Sequence, residues 1–215
     1  MRIHAAWALA ASLVPVVAQS QACLGLPSNP TRVAGAVSLA DSSRAYSASL
    51  GGATPGGVFG DVGLGRVTYD YATGGTVFGF AEGGARISPP GWRLHVCPIV
   101  GASYGVGPKG FSGTGTDVSI SAASAGLAFG LPLGGTRGIT LVPNAIVSAQ
   151  VAQTKVSGAG LQPASATGKS GLVDAGVAFL FGERLSLAPA VQIPFASDDN
   201  TRTVSLTVAI ALGRR

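Results

Sequence analysis

The sequence predicts an all-β protein: a transmembrane antiparallel up-and-down β-barrel of about ten strands, with eight as the alternative count. Three observations lead there. Only 11% of the 215 residues are charged, against roughly 25% in an ordinary soluble domain, and the mean hydropathy is +0.43. Past the N-terminus, no apolar run approaches the ~20 residues that a membrane helix needs. From Thr31 onward, segments alternate apolar and small polar residues with the period of two that marks strands. A chain this apolar without a helical span has one way to cross a bilayer, the closed barrel, because lipid cannot satisfy the open backbone groups of a sheet edge.

The N-terminal segment reads as an export signal. Arg2 supplies the positive start, Ala5 to Val17 form an apolar stretch broken by Pro15, and small residues at Ala18 and Ser20, or Ser20 and Ala22, offer cleavage sites. This divides the chain into a signal peptide (1–22), an N-terminal periplasmic segment (23–30) and the barrel domain (31–215). Export brings an oxidising compartment, and two cysteines then invite pairing. A Cys23–Cys97 disulfide is expected, with Cys97 on an inward strand face and 23–30 folded back into the periplasmic mouth. Two free thiols, or a Cys23 lost or lipidated in processing, are the alternatives.

Ten strands are expected, at about 31–40, 44–51, 57–69, 76–87, 92–105, 117–131, 138–152, 170–182, 185–195 and 201–212. The last is the clearest, with Val204, Leu206, Val208, Ile210 and Leu212 on one face and Thr203, Ser205, Thr207, Ala209 and Ala211 on the other. The third, fourth and sixth alternate poorly, which suggests bulges or kinks at Gly60, Gly63, Gly83, Gly84 and Gly126. Connections after even strands are short. Those after odd strands include two long ones, around VGPKGFSGTGT and QTKVSGAGLQPASATGK, as in outer-membrane barrels with short periplasmic turns and longer outside loops. Pro98, Pro143 and Pro189 recur at the same point of the fifth, seventh and ninth strands. Proline cannot donate to a ladder, so a local bulge is expected at each.

This architecture resembles the small bacterial outer-membrane barrels, the OmpA-like and OmpX-like proteins, through the signal and nearly all of the mature chain. The resemblance implies outer-membrane lipid and the barrel-insertion machinery as partners. One departure is the end of the last strand, Ala211-Leu212-Gly213, which lacks the usual final aromatic residue.

Chemistry-bearing residues are few. His95 is the one histidine of 31–215, and the two cysteines have no metal-ligand spacing, so no catalytic residue, metal site or cofactor is expected. The net charge of +5 is scattered without interleaved aromatics, which excludes nucleic acid as a partner. Arg32, Arg93, His95 and Asp174, joined by Arg66, Glu82 and Arg86, are expected to form a polar network in the lumen. Their structural role is to pair and close it; the functional alternative is an anion-selective ring. The reading is a non-enzymatic barrel with a structural or surface-interaction role, its loops 106–116 and 153–169 free to meet an extracellular partner. A small pore or lipophile channel is the alternative, and a soluble lipocalin-like binding barrel ranks behind both.

Overall fold

The computed structural model describes Cys23 and residues 31–70, 74–89, 91–107, 116–134, 138–158, 161–182, 184–196 and 201–212. The signal peptide, residues 24–30 and the C-terminal Gly213–Arg215 lie outside the described residues. Ten antiparallel strands close into one barrel: β1 (Thr31–Ala40), β2 (Ser43–Ala53), β3 (Val58–Tyr69), β4 (Gly75–Ala85), β5 (His95–Val106), β6 (Thr116–Gly130), β7 (Ile139–Gly158), β8 (Leu161–Phe181), β9 (Leu185–Phe195) and β10 (Thr203–Leu212). Each strand pairs with its sequence neighbours, and β1 seals the barrel against β10 from Thr31↔Leu212 to Ala40↔Thr203. Both ends of the strand series therefore sit at one mouth, the termini end; the opposite mouth is the loop end.

The registers fix the shape. Following cross-strand partners once round the wall leads from Lys169 through Val151, Ala123, Ala102, Ala81, Val62, Leu50, Val33, Ile210 and Leu185 back to β8 at Phe181. The path returns twelve residues further along the strand that it left. A stagger of that size in a ten-stranded barrel corresponds to strands tilted about 40°. Every residue on the path faces outward, and apart from Lys169 none is charged. In β10, the alternation puts Val204, Leu206, Val208, Ile210 and Leu212 outside and buries Ser205, Thr207 and Ala209 inside. The apolar face is thus the outer one, the reverse of a soluble ligand-binding barrel.

Strands β3, β4 and β6 alternate poorly for a reason other than bulges, since their registers run unbroken. They are apolar on both faces: Val67, Tyr69, Phe78, Phe80, Val118 and Ile120 point inward and pack together at the loop end. The inward glycines of β3 are seats for rings of β4. A Cβ at Gly63 would overlap Phe80, and one at Gly65 would overlap Phe78.

The prolines also need no bulge. At each, the ladder to the preceding strand lapses and then resumes in the same register: Gly84↔Ile99 then Ile87↔Val96, Gly130↔Asn144 then Leu133↔Leu141, and Gly176↔Ala190 then Phe179↔Leu187. No residue is inserted. The missing proline N–H falls in that gap; the Pro143 carbonyl, on the same side, accepts from Leu131 N at 3.0 Å.

Two further expectations change. β5 starts at His95, leaving Trp92 and Arg93 in the connection before it. Residues 153–158 and 161–169 are paired strand, β7 and β8 running to 20 and 21 residues and pairing up to Gly158↔Leu161 with one register shift between Val156 and Gly158. The Gly, Ser and Ala content reads as loop, but each strand satisfies the other's backbone, and Thr154 and Val156 anchor the base by pointing into the lumen. For the segment 106–116, Val106 closes β5 and Thr116 opens β6; 108–115 lie outside the described residues.

Candidate functional site in the barrel lumen

The inward side of β3 samples the lumen from one mouth to the other. Phe59 belongs to the termini-end cluster, Asp61 to an ion pair, Gly63 and Gly65 to the ring seats, and Val67 and Tyr69 to the loop-end cluster.

At the termini end, Cys23 and Cys97 form a disulfide with Cα atoms 5.9 Å apart. Both cysteines are buried among Phe59, Ile99 and Ala128. Cys23 is thereby fixed inside the mouth, against the β5 wall. Across the lumen, Val142, Ala178, Leu180 and Ala188 form a second buried group.

Above the disulfide lies the charged belt. The Arg32 guanidinium reaches over β2 to Asp61, donating from Nε to Oδ1 at 3.1 Å and from Nη2 to Oδ2. Both residues are buried. The strand between them contributes Gly51, whose cross-strand partners are Arg32 and Asp61 themselves. Any Cβ at Gly51 would occupy the carboxylate's place, so this glycine is what lets the pair form. Glu82 stands directly opposite Asp61 on β4, and its Oε1 is buried with no hydrogen-bond partner among the described residues. Asp174 is buried on β8, opposite Gln192 of β9. Asp61, the partner of Arg32, was missed in the sequence because β3 alternates poorly and gave no inward face.

The other candidates are scattered. Arg66 lies on the outer face, in phase with Val62 and Leu64, and is exposed. Arg86 and Arg93 are exposed in the connection between β4 and β5. His95 faces inward at the termini-end rim, its Nδ1 3.1 Å from Ser88 Oγ, and the charge acting on its ring is the cation of Arg86. A hydroxyl–imidazole pair with a cation in place of the orienting carboxylate lacks the third member of a nucleophilic triad. Among the described residues only Arg32 of the arginines enters the lumen, where it pairs with Asp61, so they form no ring there.

Small residues line the remaining wall and are still buried: Ser186, Ala188 and Ala190 of β9, Ser205, Thr207 and Ala209 of β10, Ala34 and Ala36 of β1. Among the described residues, the buried aromatic side chains, Phe59, Tyr69, Phe78 and Phe80, all come from β3 and β4.

No protein-family model matches the sequence, and no curated protein matches it. Among solved structures, the β domain of the Bordetella autotransporter Brka aligns over 85% of this chain and 98% of its own, at 13% identity and a TM-score of 0.51. The N-terminal β-barrel domain of Pseudomonas aeruginosa OprF aligns over 85% and 97%, at 9% identity and a TM-score of 0.39. Neisserial surface protein A aligns over 85% and 94%, at 13% identity and a TM-score of 0.38. At such identities the likeness is one of fold, and the fold is that of the outer-membrane β-barrels.

Proposed function

We propose that this chain is a non-enzymatic barrel of the bacterial outer membrane that serves surface interaction through a projecting sheet. The observation that carries this is the length of β7 and β8. The last β8–β9 pair is Gly171↔Phe195, and β8 continues for ten residues (161–170) beyond it, backed by β7 and β6. Of its outward residues there, Ser165, Thr167 and Lys169 are polar and exposed, unlike the apolar band below. A wall that ends in apolar residues and then extends as a polar sheet suits a lipid-embedded body carrying a display surface. On this reading the partners are outer-membrane lipid, the machinery that inserts the barrel, and an extracellular partner met by 106–116 and 153–169. The burial of the lumen residues favours it over the pore.

The test is one of sidedness. Ser165→Cys and Arg184→Cys variants are expressed in intact cells and treated with a membrane-impermeant maleimide. Ser165→Cys is expected to label at once, and Arg184→Cys only after the outer membrane is breached. Equal or reversed labelling defeats the proposal. In planar bilayers, the purified chain is expected to give no steady conductance.

A further inference from the structure

Beyond Gly171, β8 has a neighbour on one side only. It stays paired with β7 to Gly158↔Leu161, while its pairing with β9 ends at Gly171↔Phe195. Ladder phase decides what the open side presents. In an antiparallel sheet each residue turns its N–H and C=O to one neighbouring strand, and the next residue turns them to the other. The Pro143 carbonyl accepts from Leu131 N, just past β6, so odd-numbered residues of β7 address β6 and even-numbered ones address β8. The β7–β8 register is unbroken from Ile139↔Phe181 to Val156↔Ala164 and pairs even with even. Even residues of β8 are therefore bonded to β7. Ser165, Thr167 and Lys169 turn their N–H and C=O to the open side, where no strand of the described residues meets them.

This edge is longer than the chain's own connection can cover. Residues 196–202 join β9 to β10 and are held at both ends, so at full extension they reach ~12 Å upward. The ten residues of β8 beyond Gly171 (161–170) extend ~33 Å. A second copy in the same membrane does not fit either. Rotation about the bilayer normal crosses two strands tilted ~40° at ~80°, and a ladder needs them aligned. Exposed edges are commonly guarded by proline and lysine. Pro163, in phase with Ser165, withholds its donor at the tip, and Lys169 stands at the foot. Between them Ala164 to Gly168 carry short, uncharged side chains, a flat slot limited at both ends. At its foot, where β9 stops, a cleft of about 420 Å³ opens, lined by Val147, Val151, Lys169, Ser170, Phe195 and Ala196 among others.

We infer that β8 from Ser165 to Lys169 docks an extended peptide of another molecule as an added strand, in the lane that β9 leaves at Phe195. The inference rests on the surface-interaction reading above and names the form of its partner. An alternating row of main-chain donors and acceptors is complementary to another backbone, which supplies affinity, while side chains supply the choice of sequence. Lys169 selects an acid at the cross-strand position, and the cleft beside it takes an apolar anchor. The partner is an extended segment with an acid and a bulky apolar residue two positions apart, on one face of the strand.

The experiment titrates the full chain, in neutral detergent, against a fluorescent ten-residue peptide read by anisotropy. The peptide alternates threonine and valine and carries one glutamate and one phenylalanine two positions apart. Wild type is expected to bind it. Two N-methylated forms of the peptide are compared, each blocking the N–H groups of one edge. One form should bind roughly tenfold or more weakly, through loss of several main-chain hydrogen bonds, and the other should change little. Thr167→Pro should match the larger loss, because its N–H faces the open side and pairing with β7 does not use it. Lys169→Glu should weaken the peptide and favour a version with lysine in place of glutamate. No binding by the wild type, equal binding of the two methylated forms, or unchanged binding by Thr167→Pro overturns the slot. The methylated peptides act on the unaltered chain, so the test stands even if Thr167→Pro fails to fold. Absence of Ser165→Cys labelling on intact cells would remove the surface reading itself, whereas peptide binding in detergent judges the slot alone.

Discussion

The two halves of the barrel wall are built differently. In β9, β10, β1 and β2 the inner face is Ala, Ser, Thr and Gly apart from Arg32, Gln192 and Pro194, and the outer face is mostly Val, Leu and Ile, with Tyr46, Phe195 and the loop-end Arg44 among them. In β3 to β6 the inner face carries Phe59, Tyr69, Phe78, Phe80, Ile99 and Ile120, and the outer face is also largely apolar. One half is a thin wall and the other supplies the filling. A narrow barrel has one lumen to fill, so bulk on one side demands small residues on the other. Period-two alternation is therefore a property of the thin half, and its failure in the other half marks where the core is, not where the sheet is irregular.

The largest test of this comparison is truncation of the filling. Phe80→Ala is expected to cost about 3–5 kcal/mol, since a buried ring leaves a cavity, whereas Thr207→Ala in the thin wall should cost only about 1 kcal/mol. Urea titration of the detergent-folded protein, followed by gel mobility, compares the two. Similar costs would mean that the lumen is not asymmetrically filled.

The ion pair joins the halves, Arg32 from the thin wall and Asp61 from the filling side. Arg32→Ala alone leaves a buried carboxylate unpaired, beside a second acid at Glu82, and should cost about 3–5 kcal/mol. Arg32→Met combined with Asp61→Leu should recover much of that, because the pair's desolvation offsets its attraction. If the double variant is as unstable as the single one, a role for the pair beyond neutralisation follows. Gly51→Ala, by displacing the Asp61 carboxylate, should reproduce the single variant's defect.

On the outside the halves are alike, and the next test sharpens that. Leu206→Arg and Val62→Arg, one on each half, should each oppose insertion by about 2–4 kcal/mol if they lie near mid-bilayer, and by less near an interface. Folding yields into lipid vesicles measure both. A cost on one half alone would break the equivalence of the outer faces.

The smallest expected effect belongs to the disulfide. Reduction, or Cys23→Ser with Cys97→Ser, should lower stability by about 2–4 kcal/mol at most, through restored freedom of the unfolded chain. Intact mass with and without reductant detects the bond. Alkylation of both cysteines before reduction would mean that no cross-link forms in the mature protein.

The sequence alone determined the β class, a count of about ten strands with eight as the alternative, their order along the chain and the outward face of β5, β7, β9 and β10. These follow from local chemistry: a period of two states which side chains share a face, and scarcity of charge states what that face meets. The pairing of Cys23 with Cys97 was legible too, because the sequence holds two cysteines and its N-terminal segment reads as an export signal. What the tertiary structure decided concerns partners that local pattern cannot name. Arg32 and Asp61 lie 29 residues apart and meet only because Gly51 leaves the strand between them bare. Arg66 sits among glycines that hide the phase of β3, so its outward direction emerges only once Phe78 and Phe80 are seen resting on Gly65 and Gly63. The paired strand of 153–158 and 161–169 reads as loop because neither side is apolar enough to declare itself, and each becomes a strand by pairing with the other. Alternation reports a side chain's environment one residue at a time; which inward side chains meet across the strands is set by stagger and closure.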